Sequence, residues 1–158
     1  MPPREDVLAA LADRRLLHVE RIPIRWGDMD AMGHVNNVNY FRYMEQARIG
    51  WLDGMRHILD ADRLSTVVVS TQCNYRKPLV YPGDVDVHVY LGEVGGSSVT
   101  TYYALRLAES ELVYADGSAV VVWVGPHNGK AVRSDGCRHW RHGCLAQWRT
   151  HRCVPARH

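Results

Sequence analysis

No apolar run in this chain approaches the ~20 residues that a membrane-spanning helix needs, and none of its four cysteines stands in a CxxC pair. The first absence argues against membrane insertion. The second leaves neither a disulfide framework nor a zinc ribbon signalled. The opening "MPPREDVLAALADRR" holds no apolar core of the signal-peptide kind, so a cytoplasmic protein is the expectation. No internal repeat occurs, and no linker divides the chain before Pro126. What remains is 158 residues, 46% of them hydrophobic. That is enough for one globular domain burying roughly 70% of its unfolded surface.

The net charge of +2 conceals an asymmetry. Residues 1–125 hold 12 Lys/Arg against 16 Asp/Glu, a net of −4, whereas residues 126–158 hold 7 against 1, a net of +6. A mildly acidic body gives no electrostatic support to a nucleic-acid role.

The pattern of apolar residues lays out the elements. Val7, Leu8 and Leu11 recur at helical spacing, with Glu5 and Asp6 ahead and Arg14 and Arg15 behind, which suits a short helix and its dipole. A strand over about residues 18–25 follows. Tyr40, Met44, Ala47, Trp51 and Met55 then share one face of a long helix. From Ser65 the period becomes two: Val67, Val69, Thr71, Cys73 and Tyr75 alternate with Val68, Ser70 and Gln72. A tight turn is expected at Tyr81-Pro82-Gly83-Asp84. Val85, Val87, Val89 and Leu91 make the next strand, and Gly95-Gly96 a hairpin into Val99, Thr101, Tyr103, Leu105 and Leu107. A turn near Glu109-Ser110 leads to a last strand ending in the apolar run 120–124. Consecutive strands joined by short turns should be antiparallel. The class is α+β: one strand, a long helix, then four strands.

Between the first strand and the long helix lies "RWGDMDAMGHVNNVNYF", residues 25–41. It crowds two aspartates, a histidine, three asparagines and two glycines into one junction. A solvated loop is one reading. The other is a site in which a carboxylate faces the amino end of a helix. Free N–H groups in the first turn and the helix dipole form a donor site for developing negative charge. A carboxylate across from them can act as general base or as nucleophile. Gly33 lets the loop fold back, and Asn36 can cap the helix. A magnesium site on the D-x-D element would want a phosphate-binding glycine loop beside it, and none is present.

The segment "DMDAMGHVNNVNYFRYMEQAR" resembles the signature of the 4-hydroxybenzoyl-CoA thioesterase branch of the hotdog superfamily, and its acyl-CoA thioesterases in particular. The later "NYRKPLVYPGDVDVHV" is similar to that family's second strand and following turn. The resemblance covers residues 18 to about 125. It implies a hotdog fold: a five-stranded antiparallel sheet wrapped around one long helix, here with a short N-terminal helix. It implies hydrolysis of acyl-CoA thioesters with no metal and no organic cofactor, in a homodimer or homotetramer with active sites at subunit interfaces. The catalytic carboxylate of the family falls on Asp30, and the backbone N–H that polarises the thioester carbonyl falls on Asn37. Asp28 is expected to be structural, hydrogen-bonded to loop amides.

Substrate contacts are expected from His34, Asn36, Tyr40 and Glu45 around the helix start, although core packing is the alternative for Tyr40. Glu45 can instead pair with Arg48 one turn on. Arg76 and Lys77 follow the second long strand, where cations grip coenzyme A phosphates, unless they are plain edge charges. The different-class alternative is a non-catalytic hotdog module that binds acyl-CoA as a sensor or scaffold.

The expected division is one domain over residues 1–129 and a basic tail over residues 130–158. The tail matches nothing in the family. A zinc site from Cys137, His139, His142, Cys144, His151 or Cys153 fits no common spacing, and a nucleic-acid tail fits the charge alone. An out-of-frame or unselected C-terminus accounts best for its Arg, His, Cys and Trp content.

Overall fold

The structure, a computed structural model, describes residues 9–55 and 65–133. Five strands, β1 (Leu16–Pro23), β2 (Ser65–Tyr75), β3 (Asp84–Val94), β4 (Ser98–Leu107) and β5 (Val113–Val124), form one antiparallel sheet in the order β1-β3-β4-β5-β2. One long helix, α1 (Asn37–Gly54), packs on its inner face. This is the sheet-and-helix plan of the hotdog fold.

Strand periodicity decides which side chains meet the helix. Val85, Val87 and Val89 of β3, Val99, Thr101, Tyr103 and Leu105 of β4, and Ala115, Ala119, Val121 and Trp123 of β5 are all buried, while their alternates face outward. From the helix, the expected stripe of Tyr40, Met44, Ala47, Trp51 and Met55 is buried throughout. Gly117 of β5 lets that stripe approach closely: a Cβ there would meet the Met44 sulfur at 2.8 Å and the Gln72 carbonyl oxygen. Arg48 was expected on the helix surface beside Glu45. It turns inward instead, donating to the Tyr103 hydroxyl at 3.1 Å, which in turn bonds Thr101 at 2.7 Å. The inward turn gives the buried Tyr103 hydroxyl a charged donor, and leaving that hydroxyl without one would be costly.

The turn after β2 also differs from expectation. Residues 76–83 do not fold β3 back on β2; they carry the chain across the sheet, so that β2 pairs with β5 at the opposite edge from β1. Tyr81–Pro82 within this crossover is cis. The Gly95-Gly96 hairpin and the turn at Glu109 are as expected, and Glu109 takes a positive φ of 63°.

Of the N-terminal helix, residues 9–12 are helical, and Leu11 packs on the outer sheet face against Tyr90 and Ala104. After β5 the chain turns at Gly129 (φ 63°) and returns: Lys130 C=O accepts from Gly125, and Val132 N–H donates to Trp123. The hydrogen-bonded body thus continues past residue 129. The cysteines, histidines and tryptophans expected of the tail lie outside the described residues. Among the described residues no helix is long and apolar enough to cross a membrane.

Candidate active site

The polar junction is a small hairpin set against the helix start. A 3-10 turn (Trp26–Asp28) leads into it. Met29 and Val35 pair as an isolated antiparallel bridge, Asp30 N–H donates to His34 C=O at 2.8 Å, and Asn36 N–H donates to Asp28 C=O at 2.8 Å. Gly33, with φ 76°, makes the reversal, a conformation that any side chain with a Cβ resists. Val35 is buried beneath, its N–H bonded to Leu79 C=O, which seats the hairpin on the crossover.

Asp28 is the anchor of this unit, as expected. Its carboxylate accepts the Arg25 N–H at 2.9 Å and the Tyr43 hydroxyl at 2.7 Å, and its carbonyl also accepts the Asn39 side chain at 2.9 Å. Burial, then the bond to Asp28, raises the Tyr43 hydroxyl well above the ordinary tyrosine range. Asn39 and Tyr43 carry no motif that marks them in advance; their spacing of four on the helix is the one signal that they share a partner.

Asp30 sits at the turn of the hairpin with its carboxylate exposed. One of its oxygens accepts the Met32 N–H at 2.8 Å. Among the described residues no cation pairs with it, which leaves the second oxygen to solvent or a ligand. His34 stands opposite in the register, also exposed. Asn36 caps α1: its side-chain oxygen accepts the Val38 N–H at 3.0 Å. The first helical N–H, that of Asn37, has no intrahelical acceptor by position, while the Asn37 carbonyl accepts the Tyr75 hydroxyl at 3.1 Å. No hydrogen bond joins Asp30 to Asn37. They are seven positions apart in sequence, but the hairpin sets Asp30 opposite His34, three residues before Asn37.

The other expected contacts fall into different places. Tyr40 is 3% exposed, its hydroxyl accepting the Leu79 N–H at 3.0 Å and its ring edge-on to Tyr75 at 5.0 Å. It supports the site from behind. Arg76 departs most from expectation: its side chain is 2% exposed and paired with Asp116, which also accepts from Asn74 at 3.0 Å. A buried carboxylate needs a cation more than a solvated phosphate does, so Arg76 is committed within the sheet. Lys77 is half-buried with its backbone N–H on Tyr114 C=O. Glu45 is exposed and lines a cavity of about 430 Å³ with Arg25, Asp28 and Arg42. Asp30 opens instead on a separate cavity of about 450 Å³ lined by Trp26, Gly27, Met29, Gly33 and Tyr81.

A five-stranded antiparallel sheet holding one long helix, with this hairpin at the helix start, defines the chain as a hotdog protein of thioester-hydrolase type. The sequence profile of the Thioesterase-like superfamily matches residues 24–136, and the chain belongs to that family. Its likeness extends to the PA2801 protein of Pseudomonas aeruginosa, 36% identical, with a TM-score of 0.72 over 80% of this chain and 99% of that one. The long-chain acyl-CoA thioesterase FadM of Escherichia coli (strain K12) is 27% identical over 118 residues, 73% of this chain and 89% of FadM. The DHNA-CoA thioesterase of Staphylococcus aureus, at 20% identity, shares the fold, with a TM-score of 0.70 over 83% of this chain and 89% of its own.

Proposed function

We propose that the chain hydrolyses the thioester of an acyl-coenzyme A to the free acid and CoA, with Asp30 as the reacting carboxylate and the Asn37 N–H as oxyanion donor. The observation that carries this is the hairpin of residues 28–36, which fixes Asp28 in hydrogen bonds yet leaves Asp30 exposed, paired with no cation among the described residues, at the mouth of a cavity. In the general-base form, Asp30 takes a proton from water as the water oxygen bonds to the thioester carbon. The carbonyl oxygen becomes an oxyanion, stabilised by the N–H and the dipole of the helix start; one such donor lowers a barrier by about 2.7–4 kcal/mol. Collapse breaks the C–S bond, and the CoA thiolate receives the proton from Asp30. In the nucleophilic form Asp30 bonds to the carbonyl carbon, and water then cleaves the anhydride. His34 and Asn36 flank the reacting group. Lys77 is the cation of its pair still free to meet a phosphate, and Glu45 belongs to the neighbouring cavity.

The working unit is a homodimer at least. Among the described residues no strand pairs with the outer edge of β2, and Val67, Val68 and Val69 beside it are exposed, Val69 by 60%. Such an edge is covered in a stable protein, and a second copy of β2 fits it.

The test is a panel of acyl-CoAs from short aliphatic to aromatic, read by released thiol. Asp30→Asn is expected to retain acyl-CoA binding and lose at least ~10²-fold in kcat, the scale of a lost general base. Unchanged turnover in this variant removes Asp30 from the mechanism. Tight binding with no turnover in the unaltered chain makes the protein a sensor.

A further inference from the structure

The geometry points to Trp26 and Tyr81 as the walls of the acyl-group pocket, which therefore takes a bulky apolar acyl chain or ring rather than acetyl. This rests on the placement of the reacting carbonyl beside Asp30.

Two cavities of similar size adjoin the hairpin, and their linings differ in kind. The one that includes Glu45 presents Arg25, Asp28 and Arg42, four charged groups that an apolar chain would have to desolvate. The one that opens at Asp30 has a single charge, on Asp30 itself; the rest is Trp26, Met29, Tyr81 and two glycines. At about 450 Å³ it lies in the range of small-molecule sites, which are mostly apolar with a few placed polar groups. Its two aromatic walls come from segments far apart in sequence, the 3-10 turn and the β2–β3 crossover. The Tyr81 N–H reaches the Met29 sulfur at 3.4 Å, which holds the walls together across the hairpin.

Trp26 is 78% exposed, and Tyr81 is also exposed. An indole at the rim of a cavity, covered by none of the described residues, is a large apolar surface left for a ligand. A carboxylate at the mouth repels phosphate, so the nucleotide end of the substrate lies outside and the acyl end lies in. Gly27 and Gly33 carry no side chains to fill the space; a Cβ at either would meet nothing within 4 Å.

The experiment measures equilibrium binding of two unreactive thioethers, octyl-CoA and ethyl-CoA, to the full chain, and so does not depend on turnover. The expected result is a preference of at least ~10-fold for octyl-CoA, the scale of two buried CH₂ groups. Trp26→Ala should cut that preference below about 3-fold, and Trp26→Phe should restore most of it, since an aromatic surface returns. A phenyl-CoA thioether distinguishes a ring from a chain as the preferred occupant. Equal affinity for octyl-CoA and ethyl-CoA overturns the inference, as does a preference that survives Trp26→Ala. Conversion of the assembly to monomers by Trp26→Ala in sedimentation also overturns it, because Trp26 would then be a contact between copies. Should the preference hold while Asp30→Asn turns over normally, the pocket stands and the catalytic assignment alone falls.

Discussion

At the scale of single residues, two glycines facing the helix–sheet contact behave in opposite ways. A Cβ on Gly117 would run into the Gln72 carbonyl, which cannot move without shifting β2, and into the sulfur of the fully packed Met44 side chain. Gly117→Ala is therefore expected to cost about 1–3 kcal/mol, the usual scale of overpacking, read as a lower denaturation midpoint. On Gly50, in the helix, the added Cβ would meet the ends of the Glu20 and His18 side chains. Those ends can swing outward, at the loss of a part-exposed 2.7 Å pair worth at most about 1 kcal/mol. Replacing a helical glycine gains about the same, so Gly50→Ala should change stability by less than ~1 kcal/mol; equal losses in both variants would contradict this account. Much of the hairpin was legible residue by residue: the cap at Asn36, the reversal at Gly33 and the structural Asp28 all follow from local backbone chemistry. Arg76 was not, because its partner Asp116 lies 40 positions on, and nothing near Arg76 announces a buried acid.

Among the elements, β3 carries the clearest pH response. Its outward row runs Asp86, His88, Tyr90, with Arg21 paired to Asp86 and the His88 ring stacked on Tyr90 at 6.4 Å. Burial, then the charge of Arg106, lowers the His88 pKa from 6.5, and its Nδ1 is buried without a partner. The folded chain thus holds His88 neutral where the unfolded chain begins to take up a proton. Its contribution to stability is intact above about pH 6.5 and is lost as pH falls below it, toward the lowered folded value. Calorimetry should show a larger fall in Tm between pH 7 and 5.5 for the unaltered protein than for His88→Gln; parallel curves would remove this histidine from the pH response. Periodicity revealed every strand and the buried stripe of α1. It could not reveal where β2 sits, since short connections suggest a hairpin and the crossover of residues 76–83 is no longer than a loose one. Pairing is settled by which edge the inward side chains of β2, with Cys73 set opposite Gly117, can share with the helix.

For the whole molecule, the exposed edge of β2 makes assembly the first question. The unaltered chain should sediment as a dimer or larger at micromolar concentration. Val67→Lys combined with Val69→Lys should weaken that assembly by at least ~10-fold, as charges on a strand edge do, with a parallel loss of thiol release; a fully active monomer would refute the dimer. The sheet order has a further consequence, in the time domain. β2 leaves the ribosome before β3 and β4, yet its only strand partner among the described residues is β5, which follows both. At about 5–20 residues per second, Ser65 waits roughly 3–12 s for Val124. Through that interval the valine run of β2 has both edges open, and the nascent chain is at its most vulnerable to the wrong neighbour. A premature stop anywhere before β5 strands two segments of the sheet at once.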